Sequence, residues 1–322
     1  MKKLAIILCI TTALLGCKNS SIKSKTAFFL PPATTYNHIE IDSAKLFYRE
    51  AGDKHKPTIV LLHGYPSSSH SYRNLIPMLA THYHVIAPDN LGSGYSTHLD
   101  PETTTYTFDL LATYTEKLID TLQLKSYVMY MQDFGAPVGY RLMMNNPKRI
   151  EALIVQNANA YLDGLTPNRQ HFFRTAQTDS SQAKHDFLYG FTSEDAIINK
   201  QYLFDIDTTN INIQSPDAWT HDLAFLKSKK DRDIQVQLFK DYNTNLIQYP
   251  KWQRMLRENQ PKTLIVWGKK DLKFNANGAK AYLRDLPNAE LHLLDAGHFA
   301  AEEKTREIAK LILDFLSTNE IE

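Results

Sequence analysis

Four segments of the chain carry a reactive side chain just after an apolar run: His63-Gly64 after TIVLL, Asp133 after YVMYMQ, Asp271 after TLIVWGKK, and His298 after ELHLLDAG. Strands of one open parallel sheet deliver the loops and helix N-termini that follow them to a single rim, so these groups would meet there. Taken singly, each has a plain reading. Asp133 is a good helix N-cap, Asp271 a loop carboxylate and His298 a histidine near a helix start. Taken together they offer chemistry. A carboxylate is ionised near pH 7 and can displace a leaving group at an sp³ carbon with no base to activate it, leaving an ester on the enzyme. A histidine whose tautomer is fixed by a second carboxylate can then take a proton from water as that water attacks the ester carbonyl carbon. Such a reaction needs no cofactor. No group of residues has metal-ligand spacing and the twelve histidines are scattered, so no metal is expected. The run GSGYS, Gly92 to Ser96, follows APDNL and lacks the third glycine of a dinucleotide fingerprint, so it reads as a turn.

The elements that would position these groups follow from the apolar pattern. HIEI near His38, LFYRE near Leu46, TIVLLHG, HVIAPD, YVMYMQD and ALIVQNA read as strands. Between several of them lie helical faces, such as Phe108, Leu111, Leu118, Ile119 and Leu122, or Val138 and Leu142 ahead of Pro147. Alternating strands and helices predict an α/β fold with a mostly parallel sheet covered on both faces. From about Tyr161 to Arg257 the rhythm changes to aromatic and charged helical pieces without clear buried strands. After Pro261 it resumes with TLIVWGKKD, NGAKAYLRDL, ELHLLDAGH and a last amphipathic helix carrying Ile308, Leu311, Ile312 and Phe315. The expectation is a core of residues 37–160 and 258–322 interrupted by a mainly helical cap, 161–257. No internal repeat is evident.

The segments HGYPSSSHSYRN, DNLGSGYS, QDFGAPVG, WGKKD and DAGHFAAEE resemble, in that order, the signatures of the α/β-hydrolase fold, from about Asn37 to the end. The order nucleophile, acid, histidine is that of the same fold. Aspartate in place of serine at the strand-to-helix turn resembles the epoxide hydrolases and haloalkane dehalogenases. The resemblance implies Asp133 as nucleophile, His298 as base and Asp271 as its partner, with the backbone N–H groups of Tyr65 and Phe134 holding the oxyanion. Some relatives place the acid after the sixth strand, but VQNANA offers only Asn157 and Asn159 there. Haloalkane dehalogenases hold the halide with N–H donors, usually a tryptophan after the nucleophile. Phe134 and Tyr65 depart from that pattern, although Gln132 matches it. Epoxide hydrolases protonate the leaving alkoxide with cap tyrosines, and Tyr242 in LFKDYNTNLIQYPKW loosely fits their motif. The implied activity is epoxide-hydrolase-like on a small apolar substrate. The alternatives are a haloalkane dehalogenase, an esterase or lactonase, or a non-catalytic lipid-anchored binding protein.

The N-terminus is a separate object. Met1-Lys2-Lys3 is basic, LAIILCITTALLG is apolar but short for a membrane span, and LLGC, Leu14 to Cys17, resembles the lipobox of bacterial lipoproteins. That resemblance implies a signal peptide, 1–16, a lipid on Cys17 and a polar tether, 17–36, holding the protein to a membrane without spanning it. Lys18 after the cysteine points to the outer membrane, on its periplasmic or surface face; mass spectrometry of the mature N-terminus tests this. Cys17 would then be the one cysteine retained, so no disulfide is expected. Lys and Arg number 36 against 35 for Asp and Glu, so no global field favours nucleic acid.

Overall fold

The computed structural model of the protein describes residues 30–204, 206 and 213–321. The expected signal segment, Cys17 and the tether up to residue 29 lie outside them. Eight strands form one sheet: β1 (Thr35–Ile41), β2 (Ala44–Ala51), β3 (Thr58–Leu62), β4 (His84–Pro88), β5 (Tyr127–Gln132), β6 (Ile150–Gln156), β7 (Lys262–Gly268) and β8 (Glu290–Leu294). Their spatial order is β1-β2-β4-β3-β5-β6-β7-β8; β2 pairs antiparallel with both β1 and β4, and the other pairings are parallel. Strands β3, β4 and β5 are buried at every position, which is why they read as continuous apolar runs. The β1 edge instead alternates between exposed and half-buried residues.

Ten α-helices accompany the strands: α1 (Ile76–Leu79), α2 (Phe108–Thr121), α3 (Gly135–Asn145), α4 (Pro167–Thr178), α5 (Gln182–Gly190), α6 (Pro216–Ala224), α7 (Lys229–Asn259), α8 (Asn277–Ala281), α9 (Ala300–Glu303) and α10 (Thr305–Thr318) among the described residues. Two apolar cores lie on the two faces of the sheet. Leu111, Leu118, Val138 and Met129 belong to one, and Ile76, Leu79, Ile308, Ile312 and Val128 to the other. Successive β5 residues Val128 and Met129 point into opposite cores, as a period of two requires.

Between β6 and β7 the chain runs through α4 to α7, which pack into the same unit as the sheet. The longest, α7, starts at a Ser228/Asp231 capping box and continues through Pro250. No helix among the described residues is long and apolar enough to cross a membrane.

Register is what builds the rim. Leu62 of β3 pairs with Met131 of β5, Gln132 pairs with Gln156 of β6, Gln156 with Val266 of β7, and Gly268 with Leu294 of β8. Strands β3, β5, β6, β7 and β8 therefore end nearly level. The residues that follow, His63, Asp133, Asn157, Asp271 and His298, are released at one edge.

Candidate active site

Asp133 sits in a two-residue turn between β5 and α3 with φ at +47°, a left-handed conformation that non-glycine residues adopt at a cost of about 1–3 kcal/mol. Two glycines make room for it. A Cβ on Gly64 would lie 2.3 Å from the Cβ of Asp133, and one on Gly135 would lie 2.2 Å from the Leu62 carbonyl oxygen. The turn thus presses against the end of β3 and lifts the carboxylate above the sheet.

The two oxygens of Asp133 are not equivalent. Oδ1 accepts a hydrogen bond from the Tyr65 N–H at 2.7 Å. Oδ2 faces His298 Nε2 at 3.6 Å. The Tyr65 amide is thus on the carboxylate, in the place expected of an oxyanion donor. Phe134, the N-cap of α3, follows directly, and its ring packs among Tyr65, Phe108, Phe239 and Tyr242.

On its other side, His298 Nδ1 donates to Asp271 Oδ2 at 2.7 Å. Asp271 is fully buried and takes three further hydrogen bonds, from Asn157 Nδ2 at 2.8 Å and from the Lys273 and Phe274 N–H groups at 2.7 and 2.9 Å. Burial pushes its carboxyl up, but the His298 ring, the Lys273 charge and the Phe274 N–H together hold it below its ordinary value. Burial acts on His298 too, lowering it, yet Asp271 and Asp133 outweigh that and raise it to about 9. The ring thus lies between two carboxyl groups, both of which favour its protonated form. The edges of Phe274 and Phe299 confine it, with centroids 5.5 and 5.1 Å away.

His63, the other histidine at a strand end, has a supporting task. Its Nε2 accepts the Asn90 N–H at 2.9 Å and its Nδ1 donates to the Gly64 carbonyl at 3.0 Å, while burial holds its pKa below the ordinary value. A neutral, doubly bonded ring fixes the loop that carries the Tyr65 N–H.

A cavity of about 230 Å³ opens over Asp133 and His298. Phe134, Phe172, Phe173, Phe191, Phe204, Phe239, Leu272 and Phe274 make it largely apolar, with Arg169, Lys200, Gln201 and Lys273 also on its wall. Tyr242 is not among the lining residues. It lies almost one turn beyond Phe239 on α7, so its ring goes to the side, stacking on Phe173 at 4.0 Å and packing on Phe108. The phenol that does line the cavity is Tyr65, whose hydroxyl donates to the Phe191 carbonyl at 3.1 Å.

Three polar residues act around the site that the sequence did not single out for such roles. Asn157, with φ at +43°, ties Asp271 to β7 by accepting the Gly268 N–H at 2.9 Å. Gln156 donates to the His298 carbonyl at 3.2 Å, and its own oxygen accepts the Tyr130 hydroxyl at 2.6 Å. Gln132 touches both Gly64 and His298. The available signal was a row of amides ending adjacent apolar strands, where wholly apolar ends would serve packing alone. No cluster of three or more His, Cys, Asp or Glu that could hold a metal occurs among the described residues.

Comparison with known proteins agrees with this architecture. A family model described as the alpha/beta hydrolase fold matches residues 57–305. An uncharacterized hydrolase of Saccharomyces cerevisiae is 38% identical over 282 residues, covering 86% of this chain and 95% of its own length. A haloalkane dehalogenase from Bradyrhizobium elkani superposes with a TM-score of 0.76 at 19% identity, over 89% of this chain and 99% of its own. The epoxide hydrolase CorEH does so with a TM-score of 0.71 at 19% identity, again over 89% and 99%. The chain belongs to the α/β-hydrolase fold family and is an enzyme of it.

Proposed function

We propose that the protein hydrolyses a small apolar electrophile, an epoxide, through a covalent ester on Asp133. The inequivalence of the two Asp133 oxygens carries this reading. Oδ1 is held by the Tyr65 N–H, whereas Oδ2 faces the histidine, and the residue lines the cavity. A helix N-cap would turn an oxygen toward the first N–H groups of its own helix, whereas the Asp133 carboxylate accepts from the Tyr65 N–H, beyond the end of β3.

In the first step Oδ2 attacks an epoxide carbon, the C–O bond breaks, and an alkoxide forms on the neighbouring carbon. That alkoxide needs a proton; in this reading the Tyr65 phenol turns from the Phe191 carbonyl to supply it, its pKa raised by burial yet still matched to so basic an alkoxide. Esterification removes the charge of Asp133 and with it one cause of the high His298 pKa. The imidazolium then releases a proton, which balances the one taken up by the alkoxide. In the second step the neutral ring takes a proton from water, the hydroxide adds to Cγ, and the charge that develops on Oδ1 meets the Tyr65 N–H. Collapse breaks the Cγ–Oδ2 bond, the departing alkoxide takes the proton of the added hydroxyl, and imidazolium and carboxylate are restored. One water is consumed with no net proton change.

Epoxide is preferred over halide because the cavity offers no tryptophan N–H among its described lining residues and Phe134 follows the nucleophile. The test is a trapped intermediate. His298→Gln, incubated with styrene oxide or with 1-bromobutane, is expected to gain the full mass of the epoxide on the peptide containing Asp133. Gain of the alkyl group without halide would assign the dehalogenase reaction instead, and no adduct with either would sink the covalent reading for these classes. Adding Tyr65→Phe in the same background is expected to slow epoxide labelling by about 10²-fold.

A further inference from the structure

Gln132 ends β5 immediately before the nucleophile and is buried. Its Oε1 accepts the Gly64 N–H at 3.1 Å. A backbone N–H can only donate, so this bond fixes which way the carboxamide points. The NH₂ end must face His298 Nε2, 3.4 Å away. An NH₂ group donates and has no lone pair to offer, so the contact is favourable only while Nε2 carries no proton. Asp133 Oδ2, 3.6 Å from the same nitrogen, has the opposite preference.

The charged groups around the ring are few. Asp271 holds Nδ1, Lys273 stands beside Asp271, and Asp133 faces Nε2. Phe274 and Phe299 present ring edges, and Gln156 binds the His298 carbonyl and not the imidazole. Nε2 therefore sees one carboxylate and one amide.

We propose that Gln132 is a positioning residue that selects the unprotonated Nε2 of His298 once Asp133 is esterified. This rests on the roles given to Asp133 and His298 above. While Asp133 is ionised, its full charge outweighs the amide dipole and the ring keeps its proton. When the ester forms, that charge is gone and the Gln132 NH₂ is the protein polar group left facing Nε2. The same residue holds Gly64, next to the oxyanion donor Tyr65, so the state of the base and the position of the oxyanion donor share one side chain.

The experiment is a titration of His298 by NMR in the purified full chain with ¹⁵N-labelled histidine, which requires no substrate. Asp133→Asn removes the carboxylate charge as the ester does but turns its own NH₂ toward Nε2, so the deciding comparison is Asp133→Asn with and without the change at Gln132. Its His298 midpoint is expected to lie below that of the wild-type protein. Adding Gln132→Glu, which can keep the bond to Gly64 but turns an acceptor toward Nε2, is expected to raise the midpoint again by one unit or more, a tenfold or greater gain in proton affinity. Gln132→Glu alone should raise it from the wild-type value. A midpoint unchanged or lowered by Gln132→Glu overturns the proposal. Should glutamate prevent folding, Gln132→Met is read instead, with a smaller rise expected and a fall or no change overturning the idea. A merely structural Gln132 would alter the melting temperature and leave the midpoint in place. Absence of a covalent adduct would strike the Asp133 mechanism, whereas the titration reads the Gln132–His298 contact itself.

Discussion

Turnover falls by on the order of 10⁴- to 10⁶-fold in Asp133→Asn, the range found when a nucleophile or its partner is removed from a hydrolase, with the fold intact. Asparagine is the informative replacement because it keeps shape, tolerates the left-handed backbone at φ +47° and still offers an oxygen to the Tyr65 N–H. What it lacks is the charge that attacks carbon. Alanine confounds the result, since it strains the turn and strands a buried donor, at about 1–3 kcal/mol for the unmet N–H. The measurement is the rate with the electrophile that labels His298→Gln, alongside the thermal midpoint. Undiminished turnover in a folded Asp133→Asn protein would mean that the carboxylate is not the nucleophile.

Asp271→Asn is expected to separate the two chemical steps. All four contacts of Asp271 are donors: His298 Nδ1, Asn157 Nδ2 and the N–H groups of Lys273 and Phe274. A carboxylate satisfies four donors, but a carboxamide has one accepting oxygen. If that oxygen serves the two backbone N–H groups, the new NH₂ faces the imidazole and forces its proton to Nε2. A ring protonated there cannot take a proton from water. Ester hydrolysis should slow by about 10⁴-fold, the loss seen when an orienting acid of this kind becomes an amide. Ester formation does not use the base and should persist. Consumption of one epoxide per enzyme, followed by a stall with the adduct of full epoxide mass on the protein, is the expected record. Steady-state hydrolysis within tenfold of wild type would remove Asp271 from its assigned place.

The sheet was legible in the sequence because its central strands are buried on both faces. TIVLL, YVMYMQ and TLIVWG have the length and apolar run of buried strands, and His63 and Asp133 come directly after the first two and Asp271 three residues after the third. Asp133, Asp271 and His298 could thus be placed at one rim from the pattern alone. The cap was harder to read. Tyr242 loosely fitted a motif within LFKDYNTNLIQYPKW, yet that segment lies within one 31-residue helix that tolerates Pro250, so helical phase decides which side chains reach the cavity. Phase favours Phe239 over Tyr242. The amides were hidden for another reason. Gln132, Gln156 and Asn157 are neutral, and their contacts depend on strand register and carboxamide orientation, neither of which a single sequence displays.

The pairing of Asn157 with Asp271 has a bearing on where such a site can hold its acid. Because β6 and β7 end side by side, residues 157 and 271 face each other across a hydrogen bond of 2.8 Å. The left-handed backbone at 157 admits asparagine or aspartate with similar ease. Asn157→Asp together with Asp271→Asn would exchange oxygen for nitrogen across that bond and keep its length and its total charge, so the carboxylate could be moved between two strand ends without rebuilding either strand.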